Sequence, residues 1–190
     1  MMGRNPGNAS DGPRLRDAIL TGALAYLVGF SLLHIAGRVV NEMPRGGASE
    51  PGPDIGLLVT SHEAAGVIFY NAHGVSVSPW DGFYALNVLF DPGIALPGSP
   101  IPRAVWMLVP AGLVVLAGVI IYRRTGSSAR RARTAVGRGS WVVYGYLPPF
   151  LIGALVMDVE ALGALFVGSL HPILFGGFGG YLAYRLEESD

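Results

Sequence analysis

Four segments of the chain are almost entirely apolar and are long enough, or nearly so, to cross a bilayer as helices. A hydrocarbon core of about 30 Å requires roughly 20 apolar residues in a helix, because lipid offers the backbone no hydrogen-bond partner. The third segment is short, and its Pro148 and Pro149 predict a kink. The pattern predicts an all-α membrane protein with four transmembrane helices, at residues 18–40, 104–122, 141–157 and 161–184.

The segment between the first two apolar runs, residues 41–103, is too long for a plain connection and predicts structure of its own. Thr60 and Glu63 form a capping box, and Gly74 is a typical helix stop, so we expect a short helix over 61–73. This helix would be about 19 Å long, too short to cross the bilayer. We therefore expect it to lie on, or dip into, the outer membrane interface.

Two further features of this segment are less specific. The alternation that begins at Val75 and the turn-like residues 79–82 predict a small β-hairpin that ends near Phe90. As an alternative to the interfacial helix, residues 55–70 could form a fifth span. That arrangement would place the charged Glu63 near mid-membrane, at a cost of several kcal/mol.

The basic residues are strongly segregated along the chain. All 13 basic residues are arginines, and 13 acidic residues bring the formal net charge to zero, which argues against a globally basic nucleic-acid binder. The linker 123–140 contains no acidic residue, whereas the charged residues of 41–103 are mostly acidic. Cytoplasmic loops of membrane proteins are enriched in basic residues. The linker is also able to bind anionic lipid headgroups, although a topogenic role is favoured; its arginines are Arg123, Arg124, Arg130, Arg131, Arg133 and Arg138.

The arginine pattern predicts a multi-pass protein of the cell membrane with both termini in the cytoplasm. The N-terminal tail 1–17 and the C-terminal tail 185–190 lie on the same side as the arginine-rich loop. The segment 41–103 is then extracytoplasmic. The lipid bilayer is the partner that this topology requires.

The chain has no cysteine, so histidine is the strongest metal ligand that remains. Imidazoles of His34 and His171, in the first and last spans, could in principle hold a haem iron. Their expected depths differ by about 9 Å, which does not suit two ligands of one iron. The pair His62 and His73 is separated by about 16 Å along a helix and cannot chelate one ion. We expect no cofactor and no metal.

Two other groups of residues are candidates for interactions. Asn71 and His73 end the short helix near the acidic segment and could form a polar recognition surface. Gly176 and Gly180 are spaced as GxxxG in the fourth span, and small residues at this spacing let helix backbones approach closely. Internal packing is their expected use, with homo-oligomer formation or a partner membrane subunit as alternatives.

Two sequence segments carry a resemblance to a known group of proteins. FYNAH, residues Phe69–His73, and HPILFGGFGG, residues His171–Gly180, are similar to a family of small four-helix integral membrane proteins of unknown function from halophilic archaea. The resemblance covers nearly the whole chain. It departs at Gly74, where the family has a bulky apolar residue, and it implies no activity.

The sequence lacks the pairs and triads on which enzyme sites depend. Ser169 and His171 lie two apart on a helix and point to different sides. We therefore expect a non-enzymatic accessory or structural membrane protein. The alternative is a small oligomeric transporter or channel, which rests on the prolines in three spans and on the histidines within the membrane.

Overall fold

The computed structural model describes residues 15–42, 61–77, 103–125 and 131–189. In these ranges the chain is helical, with turns between helices and no β-strand beyond the single bridge residue Val77. The helices are α1 Leu15–Glu42, α2 Ser61–Ala72, α3 Arg103–Arg124, α4 Ala132–Ser140, α5 Val143–Val156 and α6 Ala161–Ser189. Most of the expected β-hairpin lies outside the described residues.

The described part of the chain contains four candidate membrane spans by length and hydropathy. They are Leu15–Ala36, Val105–Arg124, Ala132–Val156 and Ala161–Ser189. This agrees with the all-helical fold and the four apolar spans expected from the sequence. The third span consists of α4 and α5 together, so it is longer than the apolar pattern indicated. Its interruption is the turn at Trp141 and Val142, ahead of the two prolines, which lie inside α5.

Close approaches at glycines define the directions of the helices. Gly145 of α5 lies against the backbone of Ile19, and Gly153 faces the Tyr26 side chain, so α1 and α5 run parallel. The fourth span runs the other way, because Gly180 lies against Ala135 of α4 whereas the earlier Gly168 meets Phe150 of α5.

The third helix runs parallel to α6. Gly179 lies against the backbone of Val115. Closer to the C-terminus of both helices, the Tyr122 hydroxyl donates to Glu187 at 2.9 Å. The start of α1, the end of α3, the start of α4 and the end of α6 therefore share one end of the bundle. We name it the arginine end, after Arg123, Arg124, Arg131 and Arg133, which it exposes.

The main core lies between α1, α2, α3 and α5. Its largest fully buried side chains are Tyr70, Tyr146, Phe69 and Phe150. A second, smaller core closes the arginine end, where Tyr122, Ala135 and Ala183 meet. Large apolar side chains cover the outer faces of α1, α3, α5 and α6, as expected for surfaces that face lipid.

The arginine-rich loop expected over 123–140 is largely helical. Helix α4 occupies 132–140 because Ala135 and Gly139 lie on the side of α4 that meets the glycines of α6. Arg138 lies on this buried side and is only 6% exposed, so it does not belong to a solvated loop. Arg130 lies outside the described residues, and the expected polar tail 185–190 is helical as far as Ser189.

Candidate functional site: a buried histidine and tyrosine cluster

Helix α2 enters the bundle from the end opposite the arginines. Near its start, Gly66 lies beside Met157, which follows the last turn of α5. Near its end, His73 reaches Tyr146, ten residues and about 15 Å further into the third span than Val156. Helix α2 therefore reaches the middle of the bundle without running its full length.

The short helix that the sequence predicts at the outer membrane interface, α2, is packed inside the bundle. Phe69, Tyr70 and Asn71 are completely buried. Val67, Phe69 and the ring of Tyr70 lie in the main core together with side chains of α1 and α5.

The end of α2 is closed by a Schellman turn. Gly74 has φ +80°, and its N–H donates to Asn71 O at 2.9 Å, while the Val75 N–H donates to Tyr70 O at 3.0 Å. The Asn71 side chain adds a bond from Nδ2 to Val75 O at 2.9 Å. The helix end and its following turn thus satisfy one another's polar groups at the bundle centre.

Both nitrogens of His73 have hydrogen-bond partners. Nδ1 lies 2.7 Å from the Phe69 carbonyl oxygen, which only accepts, so Nδ1 carries the proton. Nε2 of the neutral ring then accepts from the Tyr146 hydroxyl at 2.6 Å. This arrangement joins α2 to α5 and sets the tautomer of His73.

The ring of His73 also faces His171 of α6. Their ring centroids are 4.6 Å apart, and Phe175 covers His171 at the same centroid distance. The Nε2 atom of His171 is buried and accepts or donates no hydrogen bond within the described residues. His34, by contrast, stacks on Phe30, so the structure pairs His171 with a histidine from α2 rather than with the one from α1.

Two more tyrosines complete the cluster. The Tyr70 hydroxyl donates to Phe150 O at 2.7 Å. A Cβ placed on Gly153 would lie 2.5 Å from the Tyr70 hydroxyl and 2.7 Å from that of Tyr26, so the missing side chain makes room for both. The rings of Tyr26 and Tyr146 meet edge to face, with centroids 5.6 Å apart.

Burial keeps the α2 side of this cluster neutral. Burial first, and the nearby His171 second, lower the pKa of His73 from 6.5 to about 3, against the opposing effect of the Phe69 carbonyl. Burial likewise raises the pKa of the Tyr70 hydroxyl above its usual value. The cluster is therefore a set of uncharged hydrogen-bonding groups around neutral pH.

The cluster does not form a metal centre in the part of the chain that is described. No group of three or more histidine, aspartate or glutamate side chains converges there. Both nitrogens of His73 are already used by Phe69 and Tyr146, which leaves no chelating pair with His171. The chemistry available is hydrogen bonding in an apolar setting.

The structure thus places the predicted site residues in surroundings that the sequence did not indicate. Asn71 and His73 are core residues and form no exposed recognition surface, because α2 turns into the bundle. Sequence reasoning missed Tyr26 and Tyr146. The signal that could have identified them is the position of a tyrosine inside an apolar run, away from the ends of the span where aromatic belts lie.

The glycines of the last span lie inside the chain's own helix interfaces. A Cβ on Gly176 would lie 2.5 Å from Val142 and 2.7 Å from the Gly139 carbonyl, and one on Gly180 would meet the backbone of Ala135. Gly176 and Gly180 thus allow α6 to approach α4. This is the internal packing expected of the GxxxG spacing.

These observations define a class of protein. The described residues form an α-helical bundle of membrane-protein type, with four helices long and apolar enough to span a bilayer and the short helix α2 packed among them. Residues 3–187 match the family of unknown function DUF7978, and the chain belongs to this family. No curated protein and no solved structure matches the chain.

Proposed function

We propose that this protein is a non-enzymatic accessory or structural subunit of the cell membrane. The observation that supports this role is the use of the polar core groups within the chain. His73, Asn71 and Tyr70 each bond to the protein itself, and together they fasten α2 to α5 and to its own closing turn. A catalytic base or nucleophile must instead be within reach of a substrate.

The orientation is part of the same proposal. The arginine end lies in the cytoplasm and the end where α2 enters lies outside, in accordance with the enrichment of basic residues in cytoplasmic loops. The halophilic archaeal origin implied by the resemblance of FYNAH and HPILFGGFGG also belongs to this proposal.

Native mass spectrometry of the gently purified protein tests the accessory role. We expect an assembly that contains this 20.0 kDa chain and at least one different polypeptide. Detection of only one or several copies of this chain, with lipid alone, would contradict it. The same preparation after removal of the partner should still unfold cooperatively, because α2 is held by contacts within the chain.

A second candidate is a small oligomeric transporter or channel, which the pairing of His73 with His171 favours. Both lie about 15 Å along the bundle from the end where α2 enters, counted from Val156 and from Ala161. Transporters commonly place their sites at this depth, at the ends of interrupted helices.

A flux measurement separates the two candidates. In proteoliposomes a transporter should lose its solute flux in His171→Ala, whereas His34→Ala, outside the pair, should retain it. Equal solute flux in cells with and without the protein would exclude the transporter.

A further inference from the structure

The arginine end is the most strongly charged surface of the described bundle. Among the described residues it carries seven arginines and three acids, Asp17, Glu187 and Glu188. Arg123 and Arg124 form the last turn of α3, and Arg131 and Arg133 lie at the start of α4. All four are exposed. We call these four residues the arginine surface.

The acids of α6 have other partners. Glu187 accepts from the Tyr122 hydroxyl at 2.9 Å, and Glu188 pairs with Arg185 at 3.0 Å and also accepts from Tyr184. None of the four residues of the arginine surface makes an ion pair with a described residue. No described acidic side chain therefore neutralises the charge of the arginine surface.

The arginine surface is held on a rigid base. Tyr122, Ala135 and Ala183 form the small core beneath it, and the Tyr122 to Glu187 bond ties the last turn of α3 to the last turn of α6. Arg138, which is buried beside them, interacts electrostatically with Tyr122. The end of α3 and the start of α4, which carry the four arginines, thus pack on one shared core.

Helix lengths place these arginines at headgroup level. Arg123 lies 20 residues after Arg103, about 30 Å along α3, and Arg133 lies 23 residues before Val156, about 35 Å along the third span. The hydrocarbon core is about 30 Å thick, so both side chains emerge where phosphate groups lie. The exposed Tyr144 and half-buried Trp141 stand on the membrane side of α4, as residues of an aromatic belt do.

We propose that the arginine surface binds the phosphate of an anionic phospholipid from the surrounding bilayer. Guanidinium groups match phosphate oxygens in charge and geometry. The adjacent apolar faces of α3 and α5 accept the acyl chains of the same molecule. This interaction adds a lipid ligand to the proposed accessory role and does not depend on it.

Native mass spectrometry of the full chain in detergent with equimolar phosphatidylglycerol and phosphatidylcholine tests the proposal. We expect preferential retention of phosphatidylglycerol. Replacing the four arginines by glutamine should remove the preference, since each basic residue near a membrane surface contributes about fivefold (about 1 kcal/mol) to anionic lipid binding. Replacing all four by lysine should largely retain it. Arg185→Gln, which removes an arginine already paired with Glu188, is the matched control and should bind as the unmodified chain does.

Three outcomes would overturn the proposal. One is an unchanged preference in the fourfold glutamine variant. Another is an equal loss in Arg185→Gln. The third is displacement of phosphatidylglycerol by inorganic phosphate but not by chloride at equal ionic strength, which would assign the surface to a free anion. If the fourfold variant does not fold, two double variants replace it: Arg123→Gln with Arg124→Gln, and Arg131→Gln with Arg133→Gln. Each must lower the preference, and retention of the preference in either one overturns the proposal. Because the measurement uses purified protein, a topogenic role during insertion does not produce these results.

Discussion

The hydrogen bond from the Tyr146 hydroxyl to Nε2 of His73 joins α5 to the buried end of α2. How much this bond stabilises the fold depends on its surroundings, because an unpaired polar atom in an apolar interior has no water to replace its partner. The ring of Tyr146 also contacts Tyr26 and Phe150, so its hydroxyl and its ring have separable roles.

Tyr146→Phe should destabilise the protein by about 1–2 kcal/mol, because the ring remains while Nε2 of His73 loses its donor. The measurement is the unfolding free energy in mixed micelles. Tyr144→Phe, two residues earlier in the same helix, is the control, because Tyr144 is 52% exposed and should change little. Equal losses in both variants would mean that the bond to His73 contributes nothing specific.

Acid should destabilise the fold through His73. Its pKa in the folded protein is about 3, below the 6.5 of the unfolded chain, so between these values the unfolded state binds the extra proton. The contribution of neutral His73 to the unfolding free energy is fully present above pH 6.5. It falls as the pH is lowered towards 3, by up to about 1.4 kcal/mol per pH unit.

Thermal unfolding of the protein and of His73→Gln, measured from pH 7 to pH 4, checks this prediction. The variant should show a shallower loss with acid, because glutamine does not titrate. A variant curve parallel to that of the unmodified chain would assign the acid sensitivity to other groups.

At the level of elements, the glycines decide how closely the helices approach. In α4, Gly139 faces the Gly176 carbonyl of α6 without room for a Cβ, whereas Gly137 has nothing within 4 Å. The two positions lie on the same helix and differ only in the side they present. They form a matched pair for testing the α4 and α6 interface.

Gly139→Ala should cost about 1–3 kcal/mol, since the added methyl forces backbones apart that are not able to yield cheaply. Gly137→Ala should be neutral or stabilising by up to about 1 kcal/mol through helix propensity. Unfolding free energies of the two variants give the comparison. A Gly139→Ala variant as stable as the unmodified protein would show that α4 and α6 do not approach so closely.

The turn that closes α2 depends on one backbone conformation. A Cβ on Gly74 would meet nothing within 4 Å, yet its φ of +80° disfavours a side chain. Gly74→Ala should therefore destabilise the protein by about 1 kcal/mol, and Gly74→Asn by less, because asparagine tolerates this conformation better. Chemical unfolding measures both, and equal costs would point away from backbone strain.

At the scale of the whole molecule, the helix directions place both ends of the described chain on the same side of the bundle. The protein contains no cysteine, so single cysteines report on their own position. Ser189 lies exposed at the arginine end, and Glu160 lies exposed between α5 and α6 at the other end.

An impermeant thiol reagent added to intact cells should label Glu160→Cys and leave Ser189→Cys unlabelled until the membrane is opened. This result follows from a cytoplasmic arginine end. Labelling of Ser189→Cys in intact cells would reverse the proposed orientation. Labelling of both positions would contradict a bundle that spans the membrane.

The four spans and the helix over α2 were predictable because their signals are local. The length of an apolar run decides whether it can span a bilayer. The helix stop at Gly74 depends only on residues of α2 and of the turn that follows it. The family of unknown function agrees with the resemblance in its lack of a known activity. The extent of α4 was missed, since its arginines and glycines indicate a loop when they are read without their partner helix.

The sequence by itself determined the four apolar runs, the short helix α2 and the uneven placement of charge, since hydropathy, capping and charge act over neighbouring residues. Only the tertiary structure decided that α2 turns into the bundle, that His73 meets Tyr146 and His171, and that Arg138 is buried. These results depend on which helices are neighbours and how closely their glycines let them approach. Such contacts join residues as far apart in the chain as His73 and His171, and no local pattern specifies them.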